Sequence, residues 1–597
     1  MSGRRIAPWL APALAVLLYL PSLWSGFYID DFYHQALMDG AASVPPQPWW
    51  RLYTFAEGDT DRLSGIQGDV VPWWAAESFR LDFLRPLGCV SLWLDRAIYG
   101  RSPAGYHLTN ILLYAALVFL LWRLFLRFSF ERGSARAIAL LGAVFFAVDE
   151  AHVLNVHWIA SRHALLAGLF SALSVGAYFD WRRSGAFRDR ARALGLLALG
   201  LLSSETALAA VAWIVAIEIF REEHPARRIS AVAPVLLLSG AYLALYAALG
   251  AGAGGSDWYR QPFAQPLEFA REALLSRLLL LAMGAFTTVP PEISLLPSAR
   301  GALWPVLLAL SLVGIVLLLL GAHLARSRTS RGLLAGSLFA MLATTSAWPM
   351  NRLLIVATMP SALLFAGAVF DGMAAGREAG RLRRLCLRTG AVVFVLVHLV
   401  VSLVQTVIHR GQYAAGGDWM EETVARSAFP GEPEATEARV LLLNGPEHGM
   451  YLPAYLHSLG IPAPAGAWAV TVSREELLFS RTGLGSFRME AKTGSFLGSA
   501  FERLVTDEAP REGRTARRGE LSVTLARVVD EKVLALDVSL TLPLDDNRVW
   551  LLAFDGCRWR RLIPPVVGGE MTLPAPAKTY CTTALAGTGG DRPPVTN

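Results

Sequence analysis

The chain has 597 residues, 54% of them hydrophobic and only 17% charged, with a mean hydropathy of +0.41. That balance fits a polytopic membrane protein and excludes an ordinary soluble enzyme. The formal net charge is +6, carried almost entirely by arginine (the lysines are Lys492, Lys532 and Lys578), a compositional bias from which no nucleic-acid partner is read. Four scattered cysteines, Cys89, Cys386, Cys557 and Cys581, lack the spacing of a structural zinc site.

Apolar segments recur through the first part of the chain, at 6–27, 106–126, 136–149, 157–180, 191–204, 206–220, 230–250, 302–325, 332–348, 353–373 and 389–409. The first follows Arg4-Arg5 like a secretory signal. Pro21 and the aromatic run Trp24–Tyr28 stand where a small-residue cleavage site belongs, so it is read as a retained span. A further stretch, 273–290, is read as re-entrant or as lying on the membrane surface. Arginine clusters fall in every second loop, at Arg4/Arg5, Arg127/Arg132/Arg136, Arg182/Arg183/Arg188, Arg221/Arg227/Arg228, Arg326/Arg328/Arg331 and Arg377/Arg381/Arg383/Arg384. By the positive-inside rule this predicts about eleven spans, with the N-terminus cytoplasmic and the C-terminal part outside.

The expected fold is thus a polytopic α-helical membrane domain over 1–410, with outer loops at 28–105 and 251–301, and a soluble extracytoplasmic domain over 411–597. The second domain is predicted to be mixed α/β or mostly β. Its strand-like runs are Arg439–Leu443, Trp468–Val472, Leu521–Val528, Val533–Leu540 and Val549–Phe554, separated by Gly/Pro/Asp clusters. An oxidising compartment would permit a disulfide between Cys557 and Cys581. The tail beyond Gly587 reads as disordered.

One stretch stands out, Gly26-Phe-Tyr-Ile-Asp30-Asp31-Phe-Tyr-His34, with two carboxylates where the first span leaves the bilayer. Adjacent carboxylates can divide the work of a base from the binding of a metal or hydroxyl; equally, they can cap the following helix. Asp149, Glu150, His152, His157, Arg162, His163, Glu205 and Arg352 fall at the outer ends of other spans, which predicts one polar cavity open outward. Glu205 is as readily the polar tip of a helical hairpin, and His157 and His163 read more readily as packing residues than as ligands. Arg162 and Arg352 suit bidentate binding of a phosphate. The pairs Trp49-Trp50 and Trp73-Trp74 read as interfacial anchors, or as platforms for sugar rings. Carboxylates and arginines at a membrane face suit glycosyl transfer from a polyprenyl-phosphate sugar, and no Walker motif or nucleotide-binding unit is present.

Over roughly residues 1–375 the order of several motifs resembles a family. These are Asp30-Asp31, Phe83-Leu-Arg85-Pro86-Leu87, Gly105-Tyr-His107-Leu-Thr-Asn110, Phe145–His152 through Trp158-Ile-Ala-Ser-Arg162, and Leu202–Ala207. Together they resemble the GT-C membrane glycosyltransferases, nearest to the protein O-mannosyltransferase-like branch that includes the TPR-bearing transmembrane mannosyltransferases. The resemblance implies a polyprenyl- or dolichyl-phosphate-linked donor and an inverting transfer outside the cytoplasm. It implies Asp30 or Asp31 as catalytic base, His152 and Arg162 lining the same cavity, and Glu205 in the family's hairpin, where Ser204 stands in place of a common lysine. The second loop departs from the family's His-Pro-x-His-x-Glu, reading Asp149-Glu150-Ala151-His152-Val153-Leu154, and no TPR array follows.

The candidate site is therefore Asp30 and Asp31 for catalysis, with Arg85, His107, Asp149, Glu150, His152, Arg162, Glu205 and Arg352 for substrate. Asp30 and Asp31 are also the residues that would hold a divalent ion, although no definite cofactor signature is present. The expected partners are a polyprenyl-phosphate sugar donor, the lipid bilayer and an unassigned acceptor, with a bacterial inner (cytoplasmic) membrane as the location. A transporter or flippase of a lipid-linked glycan, or a non-catalytic membrane scaffold, are the alternative functions.

Overall fold

The computed structural model describes residues 7–41, 44–58, 71–128, 134–262, 266–299, 301–375, 380–431 and 433–576. Arg4/Arg5, Arg132, Arg377, Cys581 and the tail beyond Gly587 lie outside the described residues. Two compact units emerge. One comprises Met1–Ala41, Pro45–Thr60 and Ala76–Asp418, and the other Ala42–Val44, Asp61–Ala75 and Trp419–Asn597.

In the first unit the apolar segments all fall on helices: α1 (Ala7–Tyr19), α2 (Asp30–Met38), α3 (Pro86–Tyr99), α4 (Pro103–Phe125), α5 (Ala135–Ala147), α6 (Val153–His157), α7 (Arg162–Ser184), α8 (Phe187–Ser203), α9 (Leu208–Ile219), α10 (Pro225–Ala248), α11 (Leu275–Thr287), α12 (Trp304–Leu324), α13 (Arg328–Leu342), α14 (Thr358–Met373), α15 (Arg381–Val395) and α16 (Ser402–Ala425). Local chemistry sets several ends. Prolines at the start of α3, α4 and α10 supply a pre-set φ and no surplus N–H, and Gly185 ends α7 in the left-handed conformation at φ 67°. Ser204 breaks α8 from α9 in extended backbone, and its hydroxyl accepts from Thr206 N.

Among the described residues five helices are long and apolar enough to cross a membrane: α4, Ile159–Ser184, α10, α12 and the 45-residue rod Arg381–Ala425. The bent pair Ala135–Ala147 and Glu150–His157 makes a sixth if it is one span. The protein is thus an integral, polytopic helical membrane protein. The count falls short of about eleven because several apolar helices are short. The 12 residues of α9, for example, reach only about 18 Å of a hydrocarbon core roughly 30 Å thick. Helix α11, within the stretch read as re-entrant or surface-lying, is also short, and its Leu280–Phe286 pack into the helical core.

Small residues let the helices approach closely. A Cβ on Gly372 of α14 would collide with the backbone carbonyl of Leu387 in α15, and one on Gly336 of α13 would meet the Trp213 ring of α9 at 2.5 Å. A three-stranded sheet links the outer loops: β1 (Thr54–Glu57), β2 (Arg80–Asp82) and β3 (Gly252–Gly254), antiparallel in that order. Asp82 ties it down, accepting from Thr54 Oγ1 at 2.7 Å and Arg51 Nη2 at 2.6 Å.

The second unit is mixed α/β. A four-stranded sheet has the order β12-β11-β4-β5, with β4 (Arg439–Leu442), β5 (Gly466–Ala469), β11 (Val549–Phe554) and β12 (Trp559–Leu562). β4 runs parallel to both its neighbours, and the crossover from β4 to β5 carries α17 (Leu452–Ser458). A six-stranded antiparallel sheet has the order β13-β6-β7-β10-β9-β8, formed from β6 (Leu477–Arg481), β7 (Ser486–Ala491), β8 (Thr515–Arg518), β9 (Leu521–Val529), β10 (Lys532–Leu540) and β13 (Glu570–Leu573). Trp73, from the first outer loop, is built into this unit, donating from its indole to Val470 O at 2.9 Å. Cys557 is disulfide-bonded.

The close approach at Gly372 is open to test. Gly372→Ala forces α14 and α15 apart and should cost about 1–3 kcal/mol, lowering the unfolding midpoint of the solubilised protein. Gly314→Ala, whose added Cβ meets nothing within 4 Å, should not lower it.

Candidate active site

The chain leaves α1 through a 3₁₀ turn, Leu20–Trp24, runs extended, and then bends sharply at Ile29, where φ is 42° and ψ −102°. For a β-branched residue that left-handed backbone is strained, and the surroundings must enforce it. Asp31 does so. Its Oδ2 accepts from Tyr28 N at 2.9 Å and its Oδ1 from Ala160 N at 2.6 Å, fastening the first outer loop to the turn that precedes α7. The carboxylate points back to Tyr28 and across to Ala160 rather than forward to the α2 amides, so its role is wider than helix capping. Asp31 is 2% exposed, and this burial pushes its carboxyl up to about 8 against the pull of the two amides. Asp30, next in line, is only half-buried.

Trp158 extends the assembly, its indole N–H donating to Tyr28 O at 3.1 Å. The guanidinium of Arg352 lies over the Trp158 ring, 5.4 Å from its centre, and Asn155 holds the Arg352 carbonyl at 3.0 Å. The Nε of Arg352 is buried without a hydrogen-bond partner, and no carboxylate pairs with this guanidinium among the described residues. Beside it Asn351 joins two acids: its backbone N–H donates to Glu292 Oε1 at 2.7 Å, and its amide to both oxygens of Glu150, at 3.0 and 2.9 Å. His409 Nδ1 meets Glu150 Oε2 at 3.2 Å. Burial pushes Glu292 up to about 7, and its Oε2 has no partner. Tyr28 closes the wall between the rings of Trp158 and Tyr413.

Asp31, Glu150 and Arg352 therefore share one assembly, with Asp30 next to Asp31 in the chain, whereas several residues expected to line the cavity are tied up elsewhere. Arg162, expected to take a phosphate, is fully buried; it pairs with Asp95 at 2.5 Å and donates to Asn110 Oδ1, Ser91 O and Tyr106 O. His152 is fully buried between Tyr114 OH at 2.9 Å and Thr358 Oγ1 at 2.8 Å. His107 bonds Gly26 O and stacks on His157, which in turn bonds Ser22. Asp149 caps a 3₁₀ turn through Ala151 N. Arg85 and Glu205 form a two-pronged ion pair with each other, braced by His163. Arg162, Arg85 and His152 are engaged by the fold, while Nδ1 of His107 and of His163 is buried without a hydrogen-bond partner.

Sequence reasoning missed Tyr28, Trp158, Glu292, Asn351, His409 and Tyr413 as members of the assembly. Glu292 carries a readable signal, an acid directly after Pro290-Pro291 at the end of an apolar helix. Among the described residues no three His, Cys, Asp or Glu side chains converge as a metal-ligand set, and the Asp31 oxygens are already taken by amides. Among the described residues, these side chains do not make a divalent-ion site.

The division between structural and unpaired arginines has a thermodynamic consequence. Arg162→Gln leaves Asp95 buried and uncompensated and should cost about 3–5 kcal/mol, whereas Arg352→Gln loses a ring contact worth about 1 kcal/mol or less. Denaturant unfolding of the purified variants in detergent measures both.

No family model matches the chain. Over 173 residues it is 30% identical to the protein O-mannosyl-transferase TMTC2 of Mus musculus, covering 29% of this chain and 18% of that protein. Over 206 residues it is 30% identical to the protein O-mannosyl-transferase Tmtc1 of Drosophila melanogaster, covering 33% of this chain and 21% of that one. The match thus spans about a fifth of the length of these curated relatives. Among solved structures, the oligosaccharyltransferase of Archaeoglobus fulgidus, tethered to an acceptor peptide, overlays with a TM-score of 0.41 at 13% identity, covering 78% of this chain and 64% of that one. ArnT of Cupriavidus metallidurans in the apo state gives 0.39 at 12% identity, covering 75% and 84%. The sequence relatives bear out the resemblance read from the motifs: about a third of this chain is similar to protein O-mannosyl-transferases.

Proposed function

We propose that the protein is a membrane glycosyltransferase that moves a sugar from a polyprenyl-phosphate donor to an acceptor hydroxyl on the extracytoplasmic face of an inner membrane. The observation that carries this is the pairing of a clamped acidic turn, Ile29-Asp30-Asp31, with the unpaired guanidinium of Arg352 across Trp158. A half-buried arginine whose Nε is buried without a partner and which has no ion-paired carboxylate among the described residues is suited to an anion brought from outside, and a phosphate matches its fork. The similarity to protein O-mannosyl-transferases supports mannose as the sugar and a protein hydroxyl as the acceptor.

In this mechanism Asp30 is the base. It takes the proton of the acceptor hydroxyl as that oxygen bonds to the anomeric carbon, on the face opposite the phosphate. The bond from carbon to the phosphate oxygen breaks, the polyprenyl phosphate departs with its electron pair, and the anomeric configuration inverts. Arg352 stabilises the charge that gathers on the departing phosphate. Asp31 does not take the proton; it holds the turn that aims Asp30. Glu150, Asn351 and Glu292 position Arg352 through the neighbouring backbone.

Transfer of radiolabelled mannose from polyprenyl phosphate in solubilised membranes tests the reading. Asp30→Asn should lower the rate by about 10²–10⁴-fold and Arg352→Gln by about 10²–10³-fold, with folding intact in both. Full activity of Asp30→Asn would refute Asp30 as base.

A pH dependence follows from Asp31. Its carboxyl is raised from the ordinary carboxylate range to about 8, so below that pH it carries a proton and one oxygen is a poorer acceptor for its amide. kcat/KM should therefore rise with pH and level off above about 8. A rate already flat from pH 5 upward would contradict the clamp.

A further inference from the structure

At the opposite end of α9 from Glu205, the turn Phe220–His224 and the starts of α10 and α13 enclose a polar cleft of about 630 Å³. Its charged lining is Arg221, Arg228, Arg328 and Arg331 with Glu222 and Glu223, four arginines against two glutamates.

The walls are fixed by their own hydrogen bonds. Arg182 grips the buried Glu218 at 3.0 and 3.1 Å and also reaches Glu223. Arg228 donates to Ile219 O at 2.8 Å, closing the end of α9. What remains is positive charge without sufficient partners. Arg221 Nη1 is buried with no hydrogen bond, and the side chain is held only by two long ion pairs, Nη1 to Glu218 and Nε to Glu223, each at 3.5 Å. Arg331 is exposed and pairs with nothing among the described residues, and Arg328 has only the exposed Glu222.

Two helix starts make the excess costlier. The first turns of α10 and α13 contain no acid, and instead carry Arg227 and Arg228, and Arg328 and Arg331. Cations at a helix N-terminus oppose its dipole, so both helices break a local rule at the same place. The positive-inside bias accounts for arginine on this face, but not for a cleft that gathers four arginines against two glutamates. An anion seated there would satisfy both conflicts.

The neighbouring surface indicates the source of the anion. Beside the cleft Ile219 and Ile229 are 49% and 69% exposed, and along α10 Leu236 and Leu237 continue the apolar outer face of a helix apolar enough to span the membrane. A ligand with a charged head in the cleft and hydrocarbon along α10 fits this arrangement. We propose that the cleft binds the phosphate headgroup of an anionic phospholipid, a role separate from the proposed glycosyl transfer and independent of it.

Binding to the full chain in a neutral detergent tests this, using phosphatidylglycerol, phosphatidylcholine and inorganic phosphate as probes read by native mass spectrometry. Arg328→Gln/Arg331→Gln should weaken phosphatidylglycerol binding about thirtyfold, on the order of fivefold per arginine. Arg188→Gln, whose side chain is 90% exposed in the first turn of α8, should leave it within about twofold. The unfolding midpoint of each variant checks that the fold is retained. Unchanged phosphatidylglycerol affinity in the double variant, or equally tight phosphatidylcholine binding, would overturn the proposal. Inorganic phosphate binding as tightly as phosphatidylglycerol, with the same loss in the double variant, would overturn the lipid as source.

Discussion

The Asp31 carboxylate, buried and accepting from Tyr28 N and Ala160 N, is the constraint on which the outer half of the membrane unit depends. It holds Ile29 in a left-handed conformation that a β-branched residue resists. By doing so it fixes where Asp30 stands at the mouth of the first helix and where the turn before α7 begins. Trp158 then leans on Tyr28, Arg352 on Trp158, and Asn351 ties the neighbouring backbone to Glu150 and Glu292. Strain in one residue is thereby offset by hydrogen bonds from two others.

The arginines in the membrane unit fall into two kinds. Arg162 and Arg85 have carboxylate partners, Asp95 and Glu205, and these pairs replace the water that a guanidinium loses on burial. Arg352 has an aromatic face and a buried Nε without a partner. That asymmetry is the physical difference between an arginine used to build and one left for a ligand. At the far end of α9, Arg331 likewise has no carboxylate partner among the described residues.

Much of the architecture was legible because hydrophobic runs and arginine spacing report burial directly. The apolar segments all coincide with helices, and Val549–Phe554 begins and ends where its alternation did. Leu477–Arg481 and Ser486–Ala491 went unread, although Phe487 and Met489 alternate with Arg488 and Glu490, because short strands with polar outward faces give little apolar signal. In the site the sequence marked Asp30, Asp31, Glu150 and Arg352. It could not separate them from Arg162 or His152, since residue type and membrane depth are the same for a paired group and a free one. Only the positions of Asp95, Asn110, Tyr114 and Thr358 decide that, and each lies tens of residues or more from the group it satisfies.

The most direct test of the central claim is a structure of the full chain with a polyprenyl-phosphate mannose bound. The account predicts the phosphate against the Arg352 guanidinium, with the anomeric carbon facing the side from which Asp30 can deliver an acceptor oxygen. A donor phosphate seated away from Arg352, or a sugar beyond reach of Asp30, would contradict it.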